Sequence, residues 1–163
     1  MTISELGPDL PYGKPLKCLF HSTFWNIPMP TIRQEDLIQS VADAFQFISY
    51  YHPRDFIQAM GKAYELEQGP SAKDAIAQIL TNSKMCAEGK RPICQDTGIA
   101  VVFLKVGMNV NWSGATMSVA DMVNEGVRRA YMNPDNPLRG SVLLDPAGKR
   151  KNSGDNTPAV IHY

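Results

Sequence analysis

Cysteine, net charge and long apolar stretches are all scarce in this 163-residue chain. The three cysteines, Cys18, Cys86 and Cys94, cannot close a disulfide framework and form no Cys-x-x-Cys pair. That excludes a disulfide-stapled secreted module, a zinc ribbon and a thioredoxin-type centre, and predicts a reducing, cytoplasmic setting. Lys and Arg number 16 against 16 Asp and Glu, a formal net charge of zero. No overall field draws in nucleic acid or an anionic membrane, so neither is expected as a partner. The longest apolar runs, such as Ile99 to Leu104, fall far short of the roughly 18 residues of a spanning helix. The first 28 residues carry Glu5, Asp9 and four prolines and lack the continuous apolar core of a signal peptide. What is present, 44% hydrophobic residues against 20% charged, suits one ordinary domain with a core of its own.

Residues 1–28 read as an irregular extension, because Leu19, Phe20, Phe24, Trp25 and Ile27 follow no sustained period among recurrent Pro and Gly. From residue 29 to 163 the chain reads as a domain. Thr31 with Gln34 has the form of a capping box before Leu37, Ile38, Val41, Phe45 and Ile48, which predicts a helix over 32–50. His52-Pro53 restarts the chain into a second helix with the stripe Phe56, Ile57, Met60 and Tyr64, ending near Gln68-Gly69-Pro70. Ser71 with Asp74 opens a third, with Ala75, Ile76, Ile79, Leu80 and Ser83 on one face and Gly89 as its stop.

The texture then changes. Ile99 to Val106 is short, β-branched and apolar on both faces, which predicts a buried strand ended by Gly107. Ser118 with Asp121 caps a fourth helix bearing Val119, Met122, Val123, Val127 and Ala130, closed by Asn133-Pro134. Val142 to Leu144 reads as a short strand, 145–158 as a loop of turn formers, and 159–163 as the start of a further strand. The expected fold class is α+β: an N-terminal helical bundle leading into a small sheet, cut short within the fold.

Chemistry concentrates in Lys90-Arg91-Pro92-Ile93-Cys94-Gln95-Asp96-Thr97-Gly98, where thiol, amide, carboxylate and hydroxyl occupy adjacent loop residues between a helix and a strand. On residue types alone, a buried inert cysteine followed by a polar turn explains the segment at least as well. His162 reads as structural, and Arg128 and Arg129 as solvent-facing charges at a helix C-terminus. Lys149-Arg150-Lys151 reads as a solvated loop, Cys86 as a helix core residue, and Met85, Met108, Met117 and Met122 as core filler.

The segments EGKRPICQDTGIAVVFLKVG, NEGVRRAY, NPDNPLR and KNSGDNTPAVIHY resemble the N-terminal part of class I fumarate hydratases and the related tartrate dehydratase α-type domains. The resemblance runs from about Met29 to Tyr163 and leaves 1–28 outside. It implies a 4Fe-4S cluster held by three cysteine thiolates, with the fourth iron open to substrate. Cys94 matches the first ligand; Cys18 and Cys86 match neither of the others, which the family places beyond residue 163. The resemblance further implies that Asp96 takes part in proton transfer, that Gln95 and Asp96 contact substrate, and that Arg139 binds a substrate carboxylate. The function so implied is reversible hydration of fumarate to malate, on a small dicarboxylate substrate, by the N-terminal portion of a hydro-lyase. The alternative is an inactive truncated or split-gene fragment. Either reading leaves room for a complementary chain or a homodimer.

Overall fold

The computed structural model describes residues 29–163 as four helices and six short strands: β1 (Thr31–Arg33), α1 (Gln34–Tyr50), α2 (Arg54–Leu66), α3 (Pro70–Gly89), β2 (Val101–Phe103), β3 (Asn111–Ser113), α4 (Val119–Tyr131), β4 (Leu143–Leu144), β5 (Lys151–Asn152) and β6 (Val160–His162). The class is α+β, as expected. The extension 1–28 and Cys18 lie outside the described residues.

The core is built between α1 and α4. Val41 and Ala42 of α1 pack with Val123, Val127, Ala130 and Tyr131 of α4 and with Ala100, while Leu37, Phe45, Leu138 and Ile161 close around them. The predicted stripe of α4 is the one the fold buries, with Met122, Val123, Val127 and Ala130 all inside. Ser118 caps this helix as expected: its Oγ accepts the Asp121 N–H at 3.1 Å and donates to Asp121 Oδ2 at 2.6 Å. Of the three N-terminal helices, α1 packs mainly on α4 and also touches α3. α2 and α3 lie against each other as a second pair, and the only buried residue of α2 is Gly61.

Three predicted helix starts or stops move. Thr31 caps nothing, because Thr31–Arg33 is drawn into a parallel pair with Asn111–Ser113. Gln34 Oε1 is then occupied by the N–H of Thr116 at 2.8 Å, so the capping box cannot form. α3 begins at Pro70, one residue before Ser71, since proline suits a first helical position where its missing N–H costs no bond. Its stop is Lys90 in left-handed conformation (φ 48°) rather than Gly89.

The sheet is three separate two-stranded pairs: β1 with β3 and β2 with β6, both parallel, and β4 with β5, antiparallel. The predicted strand 99–106 contracts to Val101–Phe103 and is buried on one face only. Ala100 is buried and Val102 faces the core, but Phe103 is 79% and Ile99 62% exposed, because helices cover one side alone. The terminal strand is β6, and it pairs with β2 in the register Val101↔Val160. Residues 145–158 are not all loop: Lys151–Asn152 pairs with Leu143–Leu144, a strand that showed no apolar pattern because both members stay exposed.

Two further expectations are corrected. Met122 is core, but Met85, Met108 and Met117 are exposed. Arg128 and Arg129 are not simply solvated. Both hold Glu125, and Arg129 also reaches Glu35, so an ion network ties α1 to α4. His162 stacks on Phe103 with ring centroids 4.8 Å apart.

Candidate active site

The loop that carries the chemistry is anchored at both ends and open in the middle. At its start, Ile93 N–H donates to the Ser49 carbonyl of α1 at 2.8 Å, and Asn82 of α3 donates to the Ile93 carbonyl at 3.0 Å. Cys86, buried in α3 as predicted, lies 3.6 Å from the Pro92 carbonyl. At the far end, Thr97 Oγ1 pairs with the Tyr131 hydroxyl of α4 at 3.3 Å, and the chain enters the core at Ala100. Cys94, Gln95 and Asp96, between these anchors, are exposed.

The Cys94 thiol is therefore not the buried, inert kind. It is free and exposed, and its sulfur lies 3.9 Å from the Asp96 carbonyl, a weak contact. Asp96 Oδ1 accepts the Thr97 N–H at 3.0 Å, which turns the carboxylate along the loop.

Arg139 arrives from the segment after α4. Leu138 N–H donates to the Tyr131 carbonyl at 3.0 Å. Upstream, Gln46 of α1 donates to the carbonyls of Ala130 and Asn136 at 2.6 and 2.9 Å and accepts from Asn136 Nδ2 at 2.8 Å. This clamp brings Arg139 Nη1 to 3.4 Å from the Gln95 carbonyl. Residues 44 apart in sequence thus share one surface. No carboxylate among the described residues pairs with Arg139. An exposed guanidinium that holds one carbonyl at long range and no carboxylate keeps most of its donors for a planar anion.

Four residues that position this surface carried no site signal in the sequence: Gln46, Tyr131, Ser141 and Asn156. Asn156 has a left-handed backbone (φ 60°) and a side chain with no exposed surface. Its place in a run of turn formers marks the turn, but no local pattern names partners 58 residues away. Neighbouring Asp155 is also held. Burial works against its ionisation, yet hydrogen bonds from the Thr157 backbone and hydroxyl keep its carboxyl below the usual range.

As a cluster site the surface is partial. Cys94 has the softness and exposure of an iron–sulfur ligand, but no three His, Cys, Asp or Glu side chains gather into a metal cage among the described residues. Two concavities that run along α1 past Gln46 and Asn133 are lined by none of Cys94, Gln95, Asp96 or Arg139.

Comparison with known proteins gives this arrangement its class. A family model described as fumarate hydratase (Fumerase) matches residues 38–163, and the chain belongs to that family. A Methanocaldococcus jannaschii protein bearing the name of an L(+)-tartrate dehydratase subunit alpha is 34% identical over 122 residues, 74% of this chain and 42% of that protein. The anaerobic class I fumarate hydratase of Escherichia coli K12 is 30% identical over 131 residues, 80% of this chain and 23% of that enzyme. The L(+)-tartrate dehydratase subunit alpha of the same organism is 27% identical over 126 residues, 76% of this chain and 40% of the subunit. The chain thus spans less than half the length of each of these relatives.

Proposed function

We propose that this chain is the portion of a fumarase-type hydro-lyase that supplies one cluster thiolate, Cys94, together with the substrate contacts Gln95, Asp96 and Arg139. The observation that carries this is the approach of Arg139 to Gln95, which sets thiol, carboxylate and guanidinium on one open surface. The reaction is reversible hydration of fumarate to malate, in a reducing compartment where thiolates persist. Cys94 would hold one corner of a 4Fe-4S cluster, which would supply Lewis-acid chemistry toward the hydroxyl gained or lost.

The chain's own residues do the rest. Arg139 binds one substrate carboxylate with its fork and so fixes the distance from the alkene carbons to the loop. Gln95 orients the substrate through its carboxamide. Asp96 has Oδ1 engaged by the Thr97 N–H, which leaves Oδ2 to move the proton at the carbon next to the one that carries the hydroxyl. Malate and tartrate differ by a hydroxyl, and the walls that would choose between them lie mostly outside these residues.

A second reading is favoured by the single thiol and the open surface: a fragment inactive alone that binds a complementary chain carrying the missing ligands and walls. One experiment tests both. Iron and sulfide are added anaerobically to the chain alone and to the chain with a complementary polypeptide, and absorbance, fumarate hydration and tartrate dehydration are followed on wild type and Cys94→Ser. The expected result is a coloured, active species only in the mixture, lost in Cys94→Ser. An active, coloured Cys94→Ser mixture rejects the ligand assignment.

A further inference from the structure

The two segments that carry the site, 94–98 and 139–142, are joined through one buried side chain that belongs to neither. Asn156 Oδ1 accepts the N–H of Ser141 at 2.7 Å and of Val142 at 3.2 Å, with the Ser141 hydroxyl at 3.5 Å. Its Nδ2 donates to the Gly98 carbonyl at 2.9 Å, and Ser141 Oγ reaches the same carbonyl at 3.2 Å. One carboxamide thus accepts from the Arg139 segment and donates to the end of the Cys94 loop. A carboxylate in its place keeps the accepting half and loses the donating half.

The surrounding backbone is shaped for this contact. Asn156 has φ 60°, a conformation that Asn tolerates better than most residues. A Cβ on Gly140 would stand 3.2 Å from the Asn156 backbone nitrogen, so the residue after Arg139 lies close on the Asn156 turn. Asn152 Nδ2 adds a donation to the Gly140 carbonyl at 2.8 Å.

We propose that Asn156 is a positioning residue: it holds the Cys94–Gly98 loop in fixed relation to the Arg139 segment, so that thiol and guanidinium address the same ligand. Its functional consequence rests on the reading of Cys94 and Arg139 given above; the positioning itself does not. Asn156 touches neither Cys94 nor Arg139, and acts through Gly98 and through Ser141 and Val142.

The test uses the full 163-residue chain and two variants. Asn156→Gly keeps the left-handed backbone and removes every side-chain bond. Asn156→Asp keeps the acceptor and removes the donor. Amide exchange is read at Ser141 and Val142, and alkylation by iodoacetamide is read peptide by peptide at Cys94, with buried Cys86 as the internal reference. In Asn156→Gly, exchange at Ser141 and Val142 is expected to rise about tenfold or more and Cys94 alkylation to change severalfold, as for a local opening that leaves the core closed. In Asn156→Asp, Ser141 and Val142 stay protected while Cys94 alkylation changes as in the glycine variant. That split distinguishes positioning from general support. The proposal is overturned by Cys94 rates that match wild type in both variants. Cys86 rising in step with Cys94 in both variants overturns it as well, as does equal loss of Ser141 protection in the two. Absence of hydro-lyase turnover in the reconstituted wild type rejects the proposed function and leaves these readouts standing.

Discussion

Gly126 of α4 rests directly on Val41 of α1: a Cβ added at Gly126 would stand 2.6 Å from the Val41 Cβ and 2.7 Å from the Ile38 carbonyl oxygen. Both obstacles belong to a packed helix, one of them backbone, so neither can swing aside. Gly126→Ala is therefore expected to destabilise the chain by about 1–3 kcal/mol through overpacking, despite the better helix propensity of alanine. Denaturant unfolding measures it. A stability equal to or above wild type would mean that the two helices separate at little cost.

The two described cysteines are expected to respond in opposite ways. Cys86 is buried beside Asn82 and Pro92, so Cys86→Ala should lower stability by roughly 1 kcal/mol for the lost packing. Cys94→Ala removes an exposed side chain and should leave the unfolding midpoint unchanged while abolishing cluster absorbance in the reconstituted mixture. Thermal melts and visible spectra of both variants separate the roles.

Arg139 is expected to act on binding rather than on folding. It is exposed, and its side chain makes one hydrogen bond among the described residues, the long one to the Gln95 carbonyl. Arg139→Lys keeps the charge and loses the planar fork, so KM for the dicarboxylate should rise about tenfold or more with a smaller change in kcat. An unchanged KM would remove Arg139 from the site.

Acid should weaken the ion network on α4. The hydrogen bond from Arg128, opposed by burial and joined by Arg129, lowers the Glu125 pKa from 4.5 to about 2. A carboxyl whose folded pKa is depressed contributes stability that is complete above its unfolded pKa and is lost as pH falls through the folded one. The contribution should therefore be full above about pH 4.5 and disappear toward pH 2. Glu125→Gln should be less stable than wild type at neutral pH and show a flatter acid limb. Unfolding midpoints across that range, equally steep in both proteins, would place the acid sensitivity elsewhere.

What could be read from the sequence follows from the range of the forces involved. Ser118 and Asp121 announced the start of α4 because a cap is a bond between near neighbours, and Met122, Val123, Val127 and Ala130 announced its buried face because helical period is local. Thr31 and Gln34 offered an equally good local signal that lost to a parallel pairing with Asn111–Ser113, a contact no window of sequence contains. Ile99 and Phe103 have the apolar character of a buried strand, but only the placement of α1 and α4 leaves them exposed.

The site divides in the same way. Sequence alone determined the kinds of groups at Cys94, Gln95, Asp96 and Arg139, because side-chain chemistry belongs to the residue, and it was resemblance to known enzymes that pointed to the family. Only the tertiary structure decided that the Cys94 loop stays open between anchors on Ser49 and Tyr131, and that Arg139 meets Gln95. It also decided that Asn156 joins the two loops, since backbone amides and carbonyls look alike in any sequence and acquire partners only when distant segments are packed together.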